Sequence, residues 1–167
     1  MKANVIISWD FAGMWMSDKR LVQEELAVNL SLLVHEIPNV DLALSFMESF
    51  LRTMQREWHG IDGYRLDKFY SLIRKMVYQS LCLLNKNDWN EQLVLRFTAI
   101  ISNEVIYKLP NGLRMHLSDL YLNGIHQAGA ATIKDDTFVL LLQPFFKIFD
   151  SIGDRIFVKR VADVIFR

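Results

Sequence analysis

Leu21-Val22-Gln23-Glu24-Glu25-Leu26-Ala27-Val28-Asn29-Leu30-Ser31-Leu32-Leu33-Val34-His35-Glu36-Ile37-Pro38-Asn39 is the stretch whose reading decides the fold class. From Leu21 the apolar positions Val22, Leu26, Leu30, Leu33, Val34 and Ile37 recur at steps of three or four, which lines them along one stripe of an α-helix. Pro38 has no amide proton to continue the helix, and the Asn39 side chain can cap the next one.

The same period continues in both directions. Leu42, Phe46, Phe50, Leu51, Met54 and Trp58 form the next stripe, with Gly60 as its natural stop. A third helix is expected after Asp62, burying Leu66, Phe69, Tyr70, Ile73, Val77, Leu81 and Leu84. Asp88-Trp89-Asn90-Glu91 reads as a helix start with an acidic cap and a glutamate three residues on, leading into Leu93, Phe97, Ile100, Ile101 and Val105. Lys108-Leu109-Pro110-Asn111-Gly112 is a turn, after which Leu113, Leu117, Leu120, Tyr121 and Ile125 carry a helix to about Gly129. Asp135-Asp136 place negative charge at the start of a helix bearing Phe138, Leu141, Leu142, Phe145, Phe146 and Phe149, and Pro144 inside that pattern predicts a kink or a new start. Helices from Val5 to Met16 and from about Asp154 to Phe166 complete the set.

No segment alternates with the period of a strand. The chain is therefore expected to be all-α, with about eight antiparallel helices in one domain spanning residues 1–167. Helix pairs starting near residues 20, 62 and 113 repeat at a spacing that suits hairpins stacked as a HEAT- or armadillo-like α-solenoid. A compact irregular bundle is the alternative.

Composition narrows the function. The hydrophobic fraction is 51%, with only 7 Gly and 3 Pro in 167 residues, which excludes collagen-like, disordered and low-complexity classes. Nineteen Lys and Arg balance nineteen Asp and Glu, unlike a free-standing binder of naked nucleic acid. A surface with so little net charge points instead to a protein partner. The balance hides a polarity: residues 1–51 hold 3 basic and 7 acidic groups, and residues 52–75 hold 6 and 3. Cys82 is alone, within Ser80-Leu81-Cys82-Leu83-Leu84, and is expected to be a buried, reduced thiol. No apolar run reaches membrane-spanning length and the N-terminus lacks a signal-peptide pattern, so a soluble, non-secreted protein is expected.

Catalytic patterns are missing. His35, His59, His116 and His126 never form His-Glu-x-x-His, and neither a phosphate-binding glycine loop nor a Gly-x-Ser-x-Gly elbow occurs. Asp62 and Asp67 could supply a carboxylate pair, but two acids at a helix start more often cap it or pair with bases. No enzyme activity, cofactor, metal or small-molecule substrate is expected.

The densest polar segment runs from Arg52 to Tyr70. Arg52 and Arg56 share one helical face, and Arg65 and Lys68 share another at the start of the following helix. A hairpin would gather the four around Trp58 and His59, with Arg74 and Lys75 further along, as a basic patch suited to a phosphate or an acidic segment. The competing reading is that these bases pair internally with Glu57, Asp62 and Asp67 and fix the loop. A second partner surface is read at Trp15, Met16, Asp18 and Lys19, where thioethers around a tryptophan offer an adaptable contact or else join the core. Asn111 and Arg114 extend that surface, on a weaker signal.

Three stretches carry a resemblance. Met14-Trp15-Met16-Ser17-Asp18-Lys19 with Val22-Gln23-Glu24-Glu25-Leu26, then Arg56-Glu57-Trp58-His59-Gly60-Ile61-Asp62 leading into Arg65-Leu66-Asp67-Lys68-Phe69-Tyr70, then Pro110-Asn111-Gly112, closely resemble the eukaryotic ribosomal RNA processing protein 1 family, the nucleolar Nop52-type proteins. The match runs in order from about Met14 to Phe166. It implies an α-helical repeat protein of the nucleolus, a non-enzymatic assembly factor of the large-subunit precursor. Such a factor docks on other assembly factors and on the precursor particle, and from the charge balance this chain is expected to hold the precursor rRNA there only weakly by itself. Gly63-Tyr64 departs from the family's usual Arg and apolar residue, and Gln143-Pro144-Phe145-Phe146 departs from its Asp-Pro-Phe. A preceding helical segment and a charged tail, common in the family, are not seen around this stretch, as in a reduced member or a domain fragment. No Lys/Arg cluster marks nuclear import. A helical adaptor outside ribosome assembly is the alternative function.

Overall fold

The computed structural model describes residues 12–106, 111–149 and 154–165. Residues 12–16 are helical (α1). They are followed by α2 (Arg20–Glu36), α3 (Val40–Glu57), α4 (Leu66–Lys86), α5 (Glu91–Ile100), α6 (Asn111–Gly129), α7 (Asp135–Phe149) and α8 (Arg155–Ile165). No strand occurs among the described residues, as the helical period requires. The expected segment Val5 to Met16 falls mostly on residues 1–11, outside the described residues, as do 107–110 of the expected turn.

The chain divides into two compact units, Met1–Leu83 and Leu84–Arg167, with the boundary in the last turn of α4. In the first, α2 packs on α3. The α2 core face is Ala27, Leu30, Ser31 and Val34, while Leu21, Val22 and Leu42 point to solvent, so the buried stripe is narrower than the apolar pattern. Along α3, Ala43, Met47, Phe50 and Met54 form the buried row, flanked by Leu44, Phe46 and Leu51. Full burial of each large side chain is worth roughly 1.5–3 kcal/mol. The Asn39 side chain accepts the Leu42 amide proton at 3.0 Å and so caps α3 as expected. His35 Nε2 lies 2.9 Å from Gln79 Oε1 and links α2 to α4. Cys82 is half-buried, which corrects the expectation of a buried thiol, because Leu81, Leu83 and Leu84 take the core positions around it.

In the second unit α5 packs against α7 and α6 against α8. Such side-by-side packing of alternate helices is what stacked hairpins produce, and within each unit the packing of neighbouring helices is consistent with a helical solenoid. α5 passes directly into a π-helical turn, Ile101–Ile106, which packs on α6 and α7. Its cap is Asn90, whose side chain accepts the amides of Gln92 at 3.1 Å and Leu93 at 3.4 Å, and not Asp88 as expected. Asp88 and Trp89 take positive φ values of 53° and 51°, turning the Trp89 ring inward so that Nε1 donates to Thr132 Oγ1 at 2.9 Å. Pro144 is buried inside α7, which runs through it without a break. Phe138, Phe146 and Phe149 remain substantially exposed.

Candidate functional site

The α3–α4 hairpin keeps its apolar residues inward and thereby throws Arg52 and Arg56 outward. Each meets an acid locally: Arg52 Nη2 donates to Glu48 Oε1 at 2.5 Å, and Arg56 Nε to Glu57 Oε1 at 2.6 Å. A short 3-10 turn, Trp58–Gly60, ends α3. Trp58 is only 8% exposed and sets its ring edge-on to Tyr70, with centroids 5.1 Å apart. His59 is solvent-facing.

Asp62 closes the loop. Its side chain accepts the Tyr64 amide at 3.1 Å and pairs with the Arg65 guanidinium. Burial works against the carboxylate, but the hydrogen bond and charge from Arg65, with the two local amides, outweigh it and hold the Asp62 pKa below the usual range. Arg65 in turn lies over the Trp15 ring, 4.7 Å from its centroid, and Trp15 tilts against Phe69 at 6.4 Å.

Lys68 is the joint between the two stretches. It is 7% exposed, and its ammonium donates to the carbonyls of Trp15 at 2.9 Å and Ser17 at 2.8 Å. Burial, then the neighbouring Arg65 charge, lowers its pKa, with Asp18 and Asp62 acting the other way. The loop between α1 and α2 is thus fastened to the first turn of α4. Met16 (76% exposed), Asp18 and Lys19 on the loop, and His59 and the fully exposed Tyr64 on the turn before α4, face solvent.

The expected basic patch is therefore split. Trp58 and Lys68 are internal, because the first turn of α4 must face the 15–17 loop, and Arg65 is held by Asp62 and Trp15. Lys75 donates to Glu24 Oε2 at 2.7 Å, and Ser71 to Glu24 Oε1 at 2.9 Å. Arg74 is exposed. Glu24, Ser71 and Ser17 were given no role from the sequence, and no local signal could have assigned these links, since the partners lie 47 to 51 residues away. Tyr64 could have been found as an aromatic at a glycine-flanked turn.

Arg114, in the second unit, pairs with Asp154 and lies 4.2 Å from the Phe157 ring centroid. It clamps α6 to α8. Asn111 opens α6, and its side chain lies outside the described residues. No three His, Cys, Asp or Glu among the described residues converge as metal ligands. No helix among them is long and apolar enough to cross a membrane.

Comparison with known proteins follows the same residues. A family described as "Nucleolar protein, Nop52" matches residues 11–167. Ribosomal RNA processing protein 1 homolog B of Mus musculus is 38% identical over 159 residues, covering 93% of this chain and 22% of that protein. Ribosomal RNA processing protein 1 homolog A of Homo sapiens is 33% identical over 159 residues, covering 93% and 34%. The Drosophila melanogaster homolog is 38% identical over 135 residues, covering 79% and 20%. The chain thus spans between a fifth and about a third of the length of these relatives. A match that includes the Trp15 loop, the α3–α4 hairpin and both helical units leaves one conclusion: the chain belongs to the Nop52 family of nucleolar proteins, whose members include ribosomal RNA processing proteins.

Proposed function

We propose that this chain is the helical-repeat domain of a non-enzymatic assembly factor of the large-subunit precursor, acting in rRNA processing by holding protein partners and, secondarily, precursor rRNA. Family membership supports the process. The observation that carries the role is the Lys68 fastening, which with Arg65 over Trp15 holds the loop bearing the exposed Met16 against the start of α4, next to the turn that exposes Tyr64. An exposed aromatic and a flexible thioether next to a cation suit a protein contact, and the same aromatic can stack a base. At this hairpin the exposed Arg52 and Arg56 each meet a local acid, and the chain as a whole has no net charge, so RNA alone gains little electrostatic attraction.

The test must spare the framework. Reversing Arg65 or Lys68 would collapse the loop, whereas Arg56→Glu with Tyr64→Ala and Met16→Ala changes only exposed side chains. Expressed in cells, the triple variant should keep its fold and lose most of its co-sedimentation with large-subunit precursors. Unchanged co-sedimentation would remove this surface from the proposal, and exclusion of the unaltered protein from the nucleolus would remove the process.

A further inference from the structure

Within the second unit, α6 and α8 flank an open groove of about 660 Å³ lined by Met115, Arg155, Ile156, Lys159, Arg160 and Asp163. Its cations are not equivalent. Arg160 is engaged, donating through Nε and Nη2 to the two Asp119 oxygens at 2.8 and 2.6 Å, which ties α8 to α6 and fixes the groove wall. Arg155 and Lys159 are exposed, and neither forms an ion pair among the described residues. They stand one helical turn apart, and Asp163 continues the same row a turn further on. Between this row and α6 sits Ile156, 75% exposed, beside Met115.

A large aliphatic side chain so exposed, on a helix whose other face already buries Phe157, Val161 and Ile165, is not needed for the core. We propose that this groove docks an acidic amphipathic helix of a partner protein. An apolar residue of the partner seats on Ile156 and Met115, while two carboxylates one turn apart meet Arg155 and Lys159. The complementarity argues for this occupant over RNA. Among the described residues no aromatic ring lines the groove for a base to stack on, and two cations neutralise few phosphates. The inference concerns residues apart from the Trp15–Tyr64 surface and stands or falls separately from the proposed function.

The probe is a fluorescently labelled synthetic helix carrying leucines along one face and paired glutamates beside them, titrated with the full chain. Controls are the same helix with lysine for glutamate, and an oligouridylate. The Leu/Glu helix should bind and the Leu/Lys helix should not. Ile156→Asp should weaken binding at least about tenfold, since it removes a buried aliphatic contact and sets a carboxylate against the glutamates of the probe. Arg155→Glu with Lys159→Glu should weaken it at least as much. All three positions are solvent-facing, and an unchanged thermal transition would show that the variants fold. Absence of binding by the Leu/Glu helix would overturn the proposal. So would loss on charge reversal with no effect of Ile156→Asp and full competition by oligouridylate, which would mark a general polyanion site.

Discussion

Lys68 shows how one side chain can be misassigned by its chemistry. A lysine beside an arginine in a polar hairpin reads as a contact for an anion, yet its ammonium is spent on two backbone carbonyls of a loop more than 50 residues away. Lys68→Met keeps the stem's apolar packing and removes both charge-assisted hydrogen bonds. A loss of about 1.5–3 kcal/mol is expected in urea-unfolding free energy, and the Trp15 fluorescence environment should change with it. Gly129 poses the opposite constraint. At φ 140° it occupies backbone space that side chains rarely enter, and a Cβ there would lie 2.6 Å from Asn85 Nδ2. Asn85 cannot simply move away, because it donates to the Ala128 carbonyl at 2.8 Å and accepts from Thr132 at 2.9 Å. Gly129→Ala should therefore cost about 1–3 kcal/mol. In an Asn85→Ala background the increment should shrink to the backbone part alone, which a double-mutant cycle on unfolding free energies would measure.

Helices in this protein are joined by a small number of polar links laid over apolar stripes. Glu24 is such a link between α2 and α4. Hydrogen bonding from Lys75, then from Ser71, lowers its pKa against a smaller opposing effect of burial. Because the folded-state value is the lower one, the stabilisation is fully present above the ordinary glutamate range and is lost as pH falls through the folded value. Glu24 is half exposed, so solvent screening limits the effect to less than about 1 kcal/mol. The wild-type chain should lose that increment as pH falls through and below the ordinary glutamate range, and Glu24→Gln should remove it at neutral pH, as read from paired denaturation curves. Tyr121 links α6 to α7 by a different route: its buried hydroxyl donates to the Leu141 carbonyl at 2.9 Å, and burial pushes its pKa far up. The group stays neutral at every accessible pH. Tyr121→Phe should cost about 0.5–1.5 kcal/mol with no pH dependence, in contrast to Glu24.

Across the whole molecule, zero net charge sets the character of any RNA contact. Arg52, Arg56, Arg65, Lys75, Arg114 and Arg160 all meet acids within the chain. An rRNA oligonucleotide should therefore bind the isolated chain weakly. Anisotropy titrations at rising salt should give a log–log slope of about one per phosphate neutralised, and hence a small one. Tight binding that ignores salt would contradict this account. Affinity worth having would come from protein partners, through the Met16–Tyr64 surface of one unit and the α6–α8 groove of the other.

Helix identity was legible residue by residue, because period, caps and breakers act locally: Asn39, Gly60, Pro38 and Asp135 each mark a boundary within a turn of where it falls. The Trp15 loop and the α3–α4 hairpin were also visible as unusual stretches. Their union was not, since nothing local connects Lys68 to Trp15 or Glu24 to Lys75. The left-handed pair Asp88–Trp89 escaped notice for another reason: local turn hydrogen bonds from the Asp88 and Trp89 amides to Asn85 and Leu84 hold it, although a tryptophan rarely takes that backbone conformation. Local physics settled which segments are helical and which side chains carry charge. Only folding decided which charges face water, because burial and pairing depend on what the packed helices bring within hydrogen-bonding reach.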